Sequence, residues 1–73
     1  MIRVSGPKIS TIIEAVDGQI IDGVKYTFVK SQGIQAYFET DSDDEADIID
    51  KEVFKKYLKK TFPVLRMYVE KVD

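Results

Sequence analysis

Cysteine is absent from the chain, which excludes a disulfide framework, a thiolate zinc site and a thiol nucleophile. Histidine is absent too. That removes the commonest metal ligand and the side chain whose unperturbed charge change falls between about pH 5 and 8. There is no G-x-x-x-x-G-K-[ST] phosphate loop, no G-x-G-x-x-G and no G-x-S-x-G. No uncharged run approaches the roughly 20 apolar residues that a spanning helix needs. Residues 1–6 lack the charged and apolar regions of a signal peptide, so the expected location is the cytoplasm. Leucine occurs only at Leu58 and Leu65, and most of the aliphatic content is isoleucine and valine, a β-branched bias that favours pleated strands. No basic excess exists either: a net charge of -2 argues against a chain whose main task is to hold phosphate backbones.

What remains is 73 residues with 44% hydrophobic and 33% charged side chains, the balance of a soluble globule. The expectation is a single small domain over residues 1–73. A core of that size supplies only about 3–5 kcal/mol unless a partner adds to it.

Periodicity divides the chain. Residues 2–4 form a short strand or a frayed start, which Gly6-Pro7 ends. Residues 8–16 (KISTIIEAV) are assigned to a strand, with Ile9, Ile13 and Ala15 on one face and Ile12 and Val16 on the other. Asp17-Gly18 and Asp22-Gly23 are turn signals. Between them, residues 19–21 either belong to one loop or begin a further strand. Residues 24–30 alternate, with Val24, Tyr26 and Phe28 on one face. After a short Gly33 loop, residues 34–40 alternate again, with Ile34, Ala36 and Phe38 together, so the pair predicts a hairpin.

Residues 36–63 pass from strand periodicity through an acidic loop to helix periodicity, and charge is segregated by sign there. Glu39, Asp41, Asp43, Asp44, Glu45, Asp47 and Asp50 come first, then Lys51, Lys55, Lys56, Lys59 and Lys60. Asp50 has the chemistry of an N-cap, and Ile49 with Phe54 the spacing of a hydrophobic staple; Ser42 with Glu45 offers an earlier capping box. Val53, Phe54, Tyr57, Leu58 and Thr61 then make one apolar stripe opposite the lysines, and Pro63 ends the helix. Residues 64–72 form a last strand, with Leu65, Met67 and Val69 facing one way and Arg66, Tyr68 and Glu70 the other.

The predicted fold is α+β in the order β-β-β-α-β, an antiparallel sheet of about four strands with one helix on one face. The far face would then expose Ile12, Val16, Val29, Tyr37, Tyr68 and Val72, and an apolar patch of that kind marks a contact surface.

Three sites compete for a function. Residues 41–52 place acids at positions 1, 3, 5, 7 and 12 of a calcium loop, but Ala46 stands where its sharp turn requires glycine. A solvated acidic approach to a helix N-terminus accounts for them better, so no metal and no cofactor is expected. The lysine stripe suits phosphate, or an ordinary solvated helix face. Residues 25–30 (KYTFVK) supply aromatics on a strand, as RNA-binding sheets do, without the glycines of that signature. No catalytic constellation is visible, so the chain is expected not to be an enzyme.

The expectation is therefore a small binding module acting through protein–protein contact and self-associating, because opposite charges on adjacent elements orient complementary docking. Its contact residues would be Ile12, Val29, Tyr37 and Tyr68 on the sheet, Lys55, Lys56, Lys59 and Lys60 on the helix, and Asp41, Asp43, Asp44 and Glu45 on the acidic side. Nucleic-acid binding through the lysine face or the open sheet is the alternative. Inhibition by acidic mimicry of DNA is the third.

Overall fold

The computed structural model describes residues 1–50 and 52–72, with the side chains of Ala46 and Asp50 outside that description. Alternation at residues 24–40 produces the expected hairpin: β3 (Val24–Gln32) pairs antiparallel with β4 (Gln35–Thr40). Tyr26, Ala36 and Phe38 point together into the core and are fully buried, while Phe28 is half-buried beside them. The register slips between Phe28 and Lys30, a bulge that leaves Val29 41% exposed. Of the two readings of residues 19–21, the strand is the one observed. Gly18 N–H donates to the Tyr26 carbonyl at 2.8 Å and Tyr26 N–H to Gln19 at 2.9 Å, leading into β2 (Ile20–Ile21), which pairs with β3. Asp22 and Gly23 close that hairpin with φ of +52° and +80°, a pair of positive angles that Asp-Gly tolerates and most residues do not.

Residues 8–16 correct the expectation, because they form α1 (Ile9–Val16) and not a strand. Ile9, Ile12, Ile13 and Val16 recur at i, i+3, i+4 and i+7, which is one helical stripe. Two half-apolar strand faces were the same residues counted with the wrong period. Burying Ile12 and Val16 outweighs the modest β preference of branched side chains. Residues 2–5, in contrast, are a genuine strand, β1 (Ile2–Ser5), with Ile2 and Val4 fully buried.

The acidic approach is shorter than expected, and the helix beyond it is divided into α2 (Glu45–Asp50) and α3 (Val53–Thr61). The helix opens near the earlier of the two expected starts but without its capping box: the Asp44 carboxylate caps α2 by accepting from Asp47 N–H at 3.0 Å, Ser42 Oγ accepts from Asp44 N–H at 3.3 Å, and Glu45 turns to Met1 and Thr40. Asp50 is thus the last residue of α2, and its expected cap, like the place of Lys51 in the lysine stripe, lies outside the described residues. Glu52 precedes α3 in a left-handed conformation with φ +55° and makes no side-chain cap. Residues 64–67 are not a strand, and β5 is confined to Tyr68–Lys71. Their burial still alternates as the sequence predicts, with Leu65, Met67 and Val69 half-buried and Arg66, Tyr68 and Glu70 exposed.

The order is β-α-β-β-β-α-α-β, an α+β chain with a curled antiparallel sheet in the order β2-β3-β4-β1-β5 and short helices, where four strands and one helix were expected. Phe54 of α3 stacks on Tyr26 at 4.6 Å between ring centroids and meets Phe38 edge-on at 6.4 Å. Tyr57 Oη donates to the Ala15 carbonyl at 3.2 Å, which ties α3 to α1.

Residues 66–67 pass directly over Gly6. A Cβ there would stand 2.8 Å from the Arg66 carbonyl oxygen and 3.3 Å from Met67 Cγ, closer than backbone and side chain can accept. Gly6→Ala is therefore expected to destabilise the chain by about 1–3 kcal/mol, the usual cost of overpacking, seen as a lowered urea midpoint at unchanged slope.

Candidate docking groove

Helix α3 turns Phe54 and Leu58 fully inward, half-buries Val53 and Tyr57, and leaves Lys56, Lys59 and Lys60 in solvent. Lys55 is half-buried because residues 65–68 run alongside it. Between the helix and that segment lies a groove of about 320 Å³. Its walls and floor are Leu58, Leu65, Met67 and Tyr68, and its cations are Lys55, Lys59 and Arg66, with no acidic side chain among the lining residues. A smaller recess of about 70 Å³ adjoins it at Lys55, lined also by Ile49, Phe54, Val69 and Glu52; with Ile49 inside α2 and Phe54 second in α3, the two do not hold the expected staple positions.

Of the residues the sequence singled out, Lys55, Lys59 and Tyr68 meet in the groove, and Tyr68 is 69% exposed. Lys56 and Lys60 are exposed on α3 without lining it. Arg66, Leu65 and Met67 were missed as site residues. The sequence put Arg66 beside Tyr68 on one strand face, but nothing in spacing brings it to lysines on a helix that ends at Thr61.

The open face of the sheet differs from the expected apolar patch. Ile12 and Val16 are in the core on α1, which takes them off the sheet, and Val72 is half-buried. In their place Lys30, Tyr37, Arg3 and Glu70 lie in register across β3, β4, β1 and β5. Lys30 Nζ stands 4.9 Å from the centroid of the Tyr37 ring, and Arg3 Nε donates to Glu70 Oε1 at 3.0 Å. The hydrogen bonds that Arg3 makes, to Glu70 first and to Tyr37 next, hold its guanidinium above its ordinary pKa. Tyr37 is thus half-buried in a polar row.

The acids named as contact residues are largely engaged in the fold. The Asp41 carboxylate accepts from Lys25 N–H at 3.0 Å, Asp44 caps α2, and Glu45 binds the amino group of Met1 and the Thr40 hydroxyl, the latter at 3.2 Å. Asp43 is exposed. Residues 45–50, which a calcium loop would need for its turn and ligands, are helical. Among the described residues no group of three or more acidic side chains is gathered so as to hold a metal ion, and no helix is long and apolar enough to cross a membrane.

With this geometry in hand, comparison adds no relative: no family model matches the chain, and no curated protein or solved structure matches it significantly.

One titratable group in the core stands apart. Tyr26 is fully buried, and its hydroxyl has no hydrogen-bond partner among the described residues. Burial, reinforced by the negative charges of Asp22 and Glu45, pushes its pKa from 10.0 up to about 12. The folded state therefore holds this proton more tightly than the unfolded chain. The resulting stability is complete below about pH 10 and disappears as pH rises from about 10 to 12. Tyr26→Phe keeps the stack on Phe54 and removes the orphaned hydroxyl, whose burial costs about 1–3 kcal/mol, so it is expected to raise stability at pH 7 by about 1 kcal/mol. Urea titrations across pH 9–12 should show a fall in stability that is smaller in the variant than in the natural chain.

Proposed function

We propose that the chain is a small, non-enzymatic binding module whose groove between α3 and residues 65–68 takes an acidic, apolar-bearing segment of a partner protein. The observation that carries this reading is the clustering of Lys55, Lys59 and Arg66, with no acidic side chain among the residues that line the groove, around an apolar floor in a chain of net charge -2. Apolar contact with Leu65, Met67 and the exposed Tyr68 supplies affinity, and the cations supply orientation and a fast encounter.

A second copy suits the groove less well than a separate partner. Two copies meeting groove to groove would set like charges together. Docking the chain's own acidic stretch would detach Asp41 from Lys25 and Asp44 from the start of α2. Nucleic acid is the competing ligand that one observation favours, since an exposed Tyr68 beside Arg66 and Lys59 could stack a base near a phosphate.

The test is a titration of labelled peptides that alternate glutamate with valine, set against oligothymidine of matched charge. Peptide binding is expected, and replacing Lys55, Lys59 and Arg66 together by Glu should weaken it at least about tenfold. The exposed pair Lys56→Glu and Lys60→Glu should change it by less than about threefold. Unchanged binding in the groove variant, or tighter binding of the oligonucleotide with a steep salt dependence, overturns the reading.

A further inference from the structure

We infer that the partner segment binds as an added strand on the outer edge of β5; this rests on the groove reading above and specifies how the groove is filled. The argument starts at β1. Gly6 N–H donates to the Ile34 carbonyl at 3.0 Å, one register step beyond the Ser5–Gln35 pair. Backbone groups of even-numbered residues in β1 therefore point at β4, and those of odd-numbered residues point at β5. On the other seam, Val72 N–H donates to the Met1 carbonyl at 2.9 Å, one step beyond the Ile2–Lys71 pair. Both seams give the same parity: Tyr68, Glu70 and Val72 turn their N–H and C=O groups toward β1. Val69 and Lys71 turn theirs outward.

β5 is the last strand of the sheet; the strand it pairs with is β1, and α2 packs against it, with Ile49 and Val69 lining one recess. Its outer edge thus presents the donors and acceptors of Val69 and Lys71 beside the groove that Tyr68 and Met67 line. An extended chain laid on this edge would satisfy those groups, and its alternate side chains would reach the apolar recesses on the covered side of the sheet. Charge selects the occupant. Lys55, Lys59 and Arg66 favour an acidic segment, and they disfavour a second β5, which would bring its own cationic groove with it. Glu70 points to the open face and is held by Arg3, so it does not oppose an acidic strand from the groove side.

The experiment uses the full chain and a peptide of about ten residues alternating glutamate and valine, with versions N-methylated at every second residue in either phase. Strand addition predicts that the Val69 and Lys71 amides slow in hydrogen exchange by at least about tenfold at saturating peptide. One phase of N-methylation should abolish binding and the other should preserve it, because only alternate amides face β5. Lys71→Pro removes an outward donor, and an edge strand tolerates proline where its N–H faces solvent. Compared with Lys71→Ala, it should bind the peptide several-fold more weakly while remaining folded.

If groove charge reversal abolishes binding but neither methylation phase nor Lys71→Pro affects it, the groove reading stands and strand addition is overturned. If no acidic peptide binds, both fail. Protection of Val69 and Lys71 that rises with protein concentration in the absence of peptide identifies a second copy as the occupant and overturns the acidic partner. Should the proline variant unfold, the methylated peptides still decide the question.

Discussion

β1 is four residues long and carries two of the sheet's four seams. Ile2 and Val4 face the core while Arg3 and Ser5 face outward, and the same strand bonds β4 on one side and β5 on the other. Without it β5 would have no partner, and the hairpin of β3 and β4 would end in an open edge. Hydrogen bonding alternates along an antiparallel strand, so a single bond on each side of β1 determines which groups of β5 face solvent. The groove inherits its backbone edge from that alternation.

The second constraint is aromatic. Phe54 lies against Tyr26 and Phe38, positioning α3 over the hairpin, and Tyr57 holds α1 beside it. Offset and edge-on ring contacts add directional preference to a large buried area, which gives a small core a defined helix position. That position presents Lys55 and Lys59 to the returning chain at Arg66. The cost is a buried phenol hydroxyl with no partner among the described residues.

Charge along the chain separates by task as well as by sign. Asp41, Asp44 and Glu45 accept hydrogen bonds that start a strand pair, start a helix and hold Met1 in place. Lys56, Lys59 and Lys60 are exposed on α3. A chain that is net negative can therefore show a positive groove, because part of its negative charge is absorbed in local structure. Composition averages over this arrangement, and for that reason the overall charge is a poor guide to the ligand of any one surface.

Local pattern was enough wherever the relevant partners are close in sequence. The hairpin of residues 24–40, the Asp22-Gly23 turn, the stripe of Val53, Phe54, Tyr57 and Leu58, and the alternating burial after Pro63 all follow from spacing of two or about 3.6 residues and from the angles that particular residues tolerate. Residues 8–16 escaped because a run rich in isoleucine satisfies both periods, and only contact with the sheet distinguishes them. The same misassignment produced the expected apolar open face, since Ile12 and Val16 were placed on a strand that does not exist. Lys55, Lys59 and Tyr68 were legible as candidates, but Arg66 joined them through a meeting of distant segments that no spacing encodes. By itself, then, the sequence determined the α+β class, the hairpin of residues 24–40 and the absence of thiol and imidazole chemistry, all of which depend on residue type and near neighbours. Tertiary structure decided the central place of β1, the polar row on the open face and the cationic groove beside β5, because each requires residues far apart in the chain to be brought together by the burial of a shared core.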